Sequence, residues 1–202
     1  MMSRETILSA ILNNQPQATK LPEYLQFDSP SKEVITEKFV QMINLIGGRV
    51  VVIHKLEDID LYISEHFKVS DQIITPIEGL KYYTSFTGDE KPHQFVNTEF
   101  AFFKTHFAVA ENGAIWITED LMGQRVLPFI TQHLGMVVEE ENIIVNMHEA
   151  YKIIENQDYG FGTFIAGPSK TADIEQSLVL GAHGARSMTI FLVKSVPKFF
   201  NT

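Results

Sequence analysis

Residues 43–54, Ile-Asn-Leu-Ile-Gly-Gly-Arg-Val-Val-Val-Ile-His, join a predicted helix directly to a predicted strand. The helix is indicated by apolar residues at spacings of three and four, namely Ile35, Phe39, Met42, Ile43 and Ile46. Ser29 is the predicted N-cap, Pro30 the predicted first helical residue, and Gly47-Gly48 the predicted end. Residues 49–54 are a β-branched run typical of a strand that is covered on both faces.

Helical and extended patterns alternate along the rest of the chain. Helices are predicted over 2–13, 56–66 and 171–180, and extended segments over 69–74, 125–130, 133–138, 161–166 and 188–193. This alternation predicts an α/β fold with three layers, in which helices flank a largely parallel sheet. We expect residues 1–44 to form an N-terminal helical extension packed on a domain of residues 45–202.

Two local signals lie between these elements. Residues 102–110 and 114–118 are apolar and flank Glu111-Asn112-Gly113, and Asn-Gly between apolar runs predicts a hairpin. Asn146 and Glu149 have the spacing of a capping box for a helix that ends near Ile154. Residues 79–98 show no clear period and are either an exposed excursion or a lid.

Composition excludes several classes of function. The 202 residues carry a net charge of −9 and show no basic run, so we expect no nucleic-acid partner. No apolar stretch is long enough for a membrane span, and no signal peptide is visible, which favours a cytoplasmic location. Cysteine is absent, so no disulfide, thiol nucleophile or thiolate-held cluster is expected in this chain. No metal site is expected either, because the histidines follow no ligand spacing.

The strongest chemical signal is the segment Gly-Pro-Ser-Lys-Thr-Ala-Asp-Ile-Glu at residues 167–175. A strand, a tight turn and the first turn of a helix would direct free backbone N–H groups at an anion beyond the strand end. The hydroxyl groups and the lysine would add donors and charge. The alternative is that Ser169 or Thr171 only caps the helix. The candidate ligand-binding residues of this segment are Gly167, Ser169, Lys170, Thr171, Asp173 and Glu175.

Residues 167–175 and the following Leu-Val-Leu-Gly-Ala-His-Gly at 178–184 resemble the C-terminal signature of the LUD (lactate-utilisation) proteins of the LutC/YkgG family. Residues 108–114, Ala-Val-Ala-Glu-Asn-Gly-Ala, are similar to a second hallmark of that family. The resemblance covers roughly residues 45–195. Ala185 replaces a proline and Asn112 a threonine of the family pattern, which removes some turn rigidity and one hydroxyl.

The resemblance implies a fold like that of the NagB/RpiA/CoA-transferase group. It also implies a non-redox role in the oxidation of L-lactate to pyruvate, beside a cysteine-rich-domain subunit and an iron–sulfur subunit. No cofactor is then expected in this chain, because the iron–sulfur clusters would be held by the partner subunits. The chain would bind a small anionic ligand, its partners, or both.

Individual side chains remain open to two interpretations each. The Glu111 turn is similar to the Ser-Glu-Asn-Gly turn that carries the nucleophile of some CoA-transferases. Glu111 is therefore a catalytic candidate and Gly113 a ligand-binding candidate. The alternative is that these residues only form a hairpin turn. His183 is a candidate proton acceptor or the cap of a helix end, and Arg186 could hold a carboxylate. The alternatives to the lactate-utilisation role are a stand-alone CoA-transferase-like or sugar-phosphate enzyme that uses Glu111, and a structural assembly subunit.

Overall fold

The computed structural model of the chain describes residues 3–17, 19, 30–155, 157–172, 178–181 and 183–194. Its helices are α1 (Arg4–Asn13), α2 (Lys32–Leu45), α3 (Asp58–His66), α4 (Glu119–Met122), α5 (Leu127–Ile130) and α6 (Met147–Ile154). Its strands are β1 (Arg49–Ile53), β2 (Gln72–Ile74), β3 (Thr98–Lys104), β4 (Phe107–Val109), β5 (Ile115–Thr118), β6 (His133–Glu139), β7 (Ile143–Ile144), β8 (Gly162–Ile165), β9 (Lys170–Ala172), β10 (Leu178–Leu180) and β11 (Ser187–Val193).

The centre of the fold is a parallel sheet of described strands in the order β1-β11-β6-β3-β2. One face is covered by α3, whose Ile59 and Ile63 pack against Phe102 and Phe191 of the sheet. The other face carries a second apolar cluster that includes Phe39 of α2 together with residues of a smaller sheet. The predicted α/β fold, with a parallel sheet flanked by helices, is confirmed.

The junction between α2 and β1 agrees with the sequence pattern. Gly48 N–H donates to the carbonyl of Ile43 at 2.8 Å and Gly47 N–H to that of Asn44 at 3.1 Å, the paired hydrogen bonds of a Schellman ending. Gly47 has φ of +87°, a left-handed conformation that favours glycine. The helix therefore stops where the strand must begin.

Some details of this region differ from the prediction. The N-cap of α2 is Ser31, whereas Ser29 lies outside the described residues. Strand β1 forms an edge of the sheet and Val52 is 50% exposed, so the expectation that this strand is covered on both faces is wrong. Helix α1 has no buried residue, whereas α2 contributes directly to the core. The domain boundary at residue 44 stays a prediction.

A second sheet, in the order β7-β4-β5-β8, was not predicted. The predicted strand 102–110 divides into β3 in the central sheet and β4 in this one. The Asn-Gly hairpin is confirmed as the antiparallel pair β4–β5.

The capping residue of α6 is also confirmed, since Asn146 Oδ1 accepts from the backbone N–H of Glu149 at 3.0 Å. The extended segment predicted over 125–130 is wrong because Leu127–Ile130 is a helical turn, with Pro128 in the first turn where its missing N–H costs nothing.

Residues 79–98 pack against the body of the protein. Leu80 and Phe95 are buried, and Phe86 packs against the core. The turn at Thr87 is held by Glu90, which accepts hydrogen bonds from the backbone N–H groups of Thr87 and Gly88 at 2.6 and 3.0 Å. The Gln124 side chain donates to the same carboxylate at 2.7 Å and ties the segment to the end of α4.

These hydrogen bonds predict an acid-sensitive attachment. Donation from the Thr87 backbone is the largest cause that lowers the pKa of Glu90 from 4.5 to about 2. Because the folded-state pKa is depressed, the stabilisation is present above pH 4.5 and is lost as the pH falls toward 2. We expect the protection factors of the amides of residues 84–91, corrected for the intrinsic exchange rate at each pH, to fall over that interval in the wild type. Glu90→Gln should exchange rapidly already at neutral pH, and an unchanged exchange rate in that variant would contradict the assignment.

Candidate functional site

The described residues on either side of 173–177 form two short strands that pair antiparallel. Strand β9 pairs with β10 through Lys170 opposite Leu180 and Thr171 opposite Val179. The helix predicted over 171–180 is therefore wrong, and the argument for free amide groups at a helix N-terminus loses its geometric basis. Asp173 and Glu175 lie outside the described residues. The ligand-binding roles of the residues in this segment remain predictions, but the predicted helix no longer supports them.

Backbone hydrogen bonds place this pair of strands beside the amino ends of the central strands. Ser169 N–H donates to the carbonyl of Ala185 at 2.8 Å, and Gly181 N–H donates to that of Ser169 at 3.1 Å. Arg186 N–H donates to the carbonyl of Gln132 at 2.8 Å, one residue before β6 begins. Arg186 and His183 are both exposed. The signature segment thus borders the edge of the sheet where β6 and β11 start.

The Glu111 turn is engaged in local structure. Glu111 Oε2 accepts a hydrogen bond from the backbone N–H of Met147 at 2.9 Å, so the carboxylate caps the start of α6, where the helix dipole favours a negative charge. Gly113 is buried with φ of +71°. The catalytic role of Glu111 and the ligand-binding role of Gly113 stay predictions, because nothing at this turn tests them.

Ile46 lies between the Gly113 turn and the Gly167 turn. A Cβ atom on Gly113 would lie 2.9 Å from Ile46 Cδ1, and one on Gly167 would lie 3.2 Å from Ile46 Cγ1. Both turns are therefore packed against the same isoleucine at the end of α2.

A different site lies at the amino edge of the central sheet. Strands β1, β11 and β6 begin there with Arg49, Ser187 and His133, and the end of α3 lies across them. Between the sheet and the helix is a cleft of about 310 Å³. Its lining residues are Gly47, Gly48, Arg49, Tyr62, His66, Phe67, His133, Ser187, Met188 and Thr189.

His133 is held by its neighbours on both sides. Its Nδ1 atom lies 2.7 Å from Ser187 Oγ, and its Nε2 atom lies 3.5 Å from Glu99 Oε1 on β3. The ring of Phe67 meets it edge-on, with 5.8 Å between centroids. The imidazole is thus fixed in orientation, while 31% of its side chain remains exposed.

The opposite wall is a stacked pair from α3. The rings of Tyr62 and His66 lie 4.0 Å apart at 18°, and His66 Nδ1 is 2.8 Å from the carbonyl oxygen of Tyr62. The Tyr62 hydroxyl lies 3.3 Å from Thr189 Oγ1 and so connects the helix to β11. These contacts leave the histidine exposed at the mouth of the cleft.

The cleft concentrates positive and ionisable donors in a protein of net charge −9. Arg49, His66 and His133 line it. A Cβ atom on Gly47 would be 3.5 Å from Lys170 Nζ, so the ammonium group of the predicted site residue Lys170 lies close to Gly47, one of the lining residues. An organic anion is the ligand class that such a set of donors favours.

Comparison with protein families identifies the chain. The LUD-domain family model matches residues 55–193. The chain belongs to the LUD-domain family. The matched region includes His66, His133 and Ser187 of the cleft, whereas Arg49 lies before it.

Curated relatives of this LUD domain carry names from lactate utilisation. It is 30% identical over 82 residues to "Lactate utilization protein C 1" of Bacillus mycoides, a match that spans 38% of this chain and 35% of the relative. It is 31% identical over 84 residues to "Lactate utilization protein C" of Bacillus pumilus, a match that spans 39% of this chain and 35% of the relative. It is 29% identical over 91 residues to "Lactate utilization protein C" of Oceanobacillus iheyensis, which spans 42% of this chain and 39% of the relative. The matches span well under half of each relative.

A solved structure supports the fold. A DUF162 family protein from Deinococcus radiodurans superposes with a TM-score of 0.63 over 82% of this chain and 99% of that one. The sequences are 16% identical, so this likeness establishes the architecture alone.

Sequence reasoning missed most of the cleft of this LUD domain. It gave His66 and His133 no role, because the histidines follow no metal-ligand spacing, and it gave none to Arg49 or Ser187. A signal was present, since three predicted strands begin at or beside a polar residue, and the amino ends of parallel strands share one edge of a sheet.

Within the described residues no group of three His, Asp or Glu side chains could hold a metal ion. No described helix is both long and apolar enough to cross a bilayer.

Proposed function

We propose that this LUD domain serves a lactate-utilisation system as a non-redox component that binds a small organic anion in the cleft at the amino edge of its sheet. The observation that carries the proposal is the convergence of Arg49, His66 and His133 on one cleft in an acidic protein. The names of the curated relatives support the biological context.

The absence of cysteine supports the non-redox part of the proposal. Iron–sulfur clusters are held by cysteine thiolates, and this chain has none to offer. Electrons from lactate would therefore pass through clusters on a cysteine-rich-domain subunit and an iron–sulfur subunit. This chain would contribute ligand binding, partner contacts, or both.

A small carboxylate suits the cleft physically. Its volume of about 310 Å³ lies near the lower end of the range for small-molecule sites. Arg49 presents a planar guanidinium that binds a carboxylate with two parallel hydrogen bonds. The hydroxyl group of Tyr62 supplies a further donor around the same space.

Calorimetric titration of the purified chain tests the proposal. We expect L-lactate or pyruvate to bind and propane-1,2-diol, which lacks the carboxylate, not to bind. Arg49→Gln should weaken carboxylate binding by roughly tenfold or more, since a charge-assisted hydrogen bond contributes about 1.5–3 kcal/mol. Arg4→Gln, on the remote helix α1, is the matched control and should bind as the wild type does.

Loss of the gene gives the cellular test. A strain without this chain should fail to grow on L-lactate, and wild-type protein should restore growth. If growth is restored equally by Arg49→Gln, and no carboxylate binds to the pure chain, the ligand-binding role is wrong and an assembly role remains.

A further inference from the structure

Ser187, His133 and Glu99 form a chain of polar contacts across three adjacent parallel strands. Ser187 on β11 is opposite His133 in the register of β6, and Glu99 is on β3, the next strand of the sheet. The distances are 2.7 Å from Ser187 Oγ to His133 Nδ1 and 3.5 Å from His133 Nε2 to Glu99 Oε1. A hydroxyl, an imidazole and a carboxylate in this sequence are the elements of an activated nucleophile.

We propose that Ser187 is a nucleophile for acyl transfer, with His133 as its general base and Glu99 as the positioning carboxylate. The proposal assigns covalent chemistry to the cleft and rests on the proposed function only in taking that cleft to be an open anion site. It gives a catalytic role to residues outside the Glu111 turn, whose carboxylate is already engaged with Met147.

The protonation states fit these roles. In the tautomer with its proton on Nε2, His133 has that nitrogen 3.5 Å from Glu99 Oε1, an ion-pair distance, and leaves Nδ1 free to accept the Ser187 proton. The nearby carboxylate favours this tautomer electrostatically and stabilises the imidazolium that forms when the proton moves. Because the base here is Nδ1, the serine and the carboxylate lie on opposite ring nitrogens, as the relay requires.

The reaction follows with all atoms accounted for. The Ser187 oxygen bonds to the carbonyl carbon of an ester or thioester while its proton passes to His133 Nδ1. The bond from that carbon to the leaving oxygen or sulfur then breaks, and the leaving group takes the proton from His133. Water, deprotonated by the same imidazole, attacks the acyl-serine and releases a carboxylic acid and the free serine.

The other wall of the cleft indicates the class of acyl group. Arg49 and His66 line the same space as Ser187, so an acyl chain that ends in a carboxylate would have its charge held while its carbonyl reaches the serine. A half-ester or half-thioester of a short dicarboxylic acid has this form. The leaving group, oxygen or sulfur, is distinguished by experiment.

A fluorophosphonate probe tests the nucleophile directly, because such probes react with activated serines. Intact mass and peptide mapping should find one adduct, on Ser187. Ser187→Ala should abolish labelling, and His133→Gln should slow it by at least about a hundredfold, in the range of general-base contributions. Ser64→Ala is the matched control, since Ser64 is exposed on α3 and donates to the carbonyl of Leu61 in its own helix.

Glu99→Gln separates a positioning role from a structural one. Loss of the carboxylate disfavours the imidazolium, so the labelling rate should fall several-fold and its pH profile should move toward lower pH. A merely structural effect would lower the rate without moving the profile. Thermal melting of each variant establishes that it is folded.

Turnover assays complete the test. The wild type should hydrolyse the p-nitrophenyl half-ester of succinate faster than p-nitrophenyl acetate, and Arg49→Gln should remove that preference. Comparing the half-ester with the corresponding thioester shows which leaving group, oxygen or sulfur, the protein favours. Ser187→Ala should lose hydrolysis while it still binds carboxylates, which keeps this proposal distinguishable from the proposed function. Labelling of Ser187→Ala at the wild-type rate, or no adduct on folded wild type, would overturn the assignment.

Discussion

Replacing Phe102 by alanine, or Phe103 by alanine, will lower the free energy of unfolding by about 3–5 kcal/mol in each case. The two residues are neighbours on β3, their side chains point to opposite faces of the sheet, and both are 0% exposed. Phe102 belongs to the apolar cluster under α3, and Phe103 to the cluster under α2 and the smaller sheet. We expect the two losses of unfolding free energy to be large and similar, because each substitution leaves a cavity on a face of the sheet that is covered by other elements.

Urea denaturation measures both losses, and the slope with denaturant shows whether the unfolded state has changed. Phe129→Ala is the control, since Phe129 is 42% exposed and should cost less than about 1 kcal/mol. A cost for Phe103→Ala as small as that of the control would mean that the second face of the sheet is open in solution. The three-layer arrangement would then be wrong.

Gly135→Ala will cost about 2 kcal/mol although it adds a single methyl group. A Cβ atom at this position on β6 would lie 2.6 Å from Phe102 Cβ and 2.7 Å from Phe100 Cζ. Phe102 Cβ is fixed to its own strand and cannot move aside without shifting the backbone. Intrinsic preference favours alanine over glycine in a strand, so the measured loss reports the clash.

The control adds one methyl group where there is room. Val52→Ile places it on β1 at a position that is 50% exposed, and the free energy of unfolding should change by less than about 0.5 kcal/mol. If Gly135→Ala were as harmless as this control, the close approach of the two phenylalanines to β6 would not exist in solution.

Local sequence patterns predicted correctly the elements whose conformation depends mainly on residues close to them in the sequence. The helix before Gly47-Gly48, the strand after it, the helix over residues 56–66 and the Asn112-Gly113 hairpin are confirmed because periodicity and turn chemistry act over a few residues. The segment 171–180 failed for the complementary reason. Its polar start favours a helix locally, but β9 gains hydrogen bonds from β10, and that pairing has no local signal.

The site shows the same division. The sequence signature drew attention to a segment with two residues near the cleft, namely Lys170, which lies close to Gly47, and Arg186, which precedes Ser187. The lining groups Arg49, His133 and Ser187 are separated by more than fifty residues each along the chain. Pattern reasoning treated them singly, because the order of strands in the sheet was unknown.

From its sequence the chain was assigned an α/β architecture, a LUD-type signature and no thiolate ligands, since these depend on composition, on short-range periodicity and on contiguous motifs. The tertiary structure alone decided that β11 pairs with both β1 and β6, which brings Arg49, Ser187 and His133 to one edge. It also decided that Ile46 packs against both the Gly113 turn and the Gly167 turn. Strand order and packing are set by contacts between distant residues, and their free energy is gained only when the whole sheet is assembled.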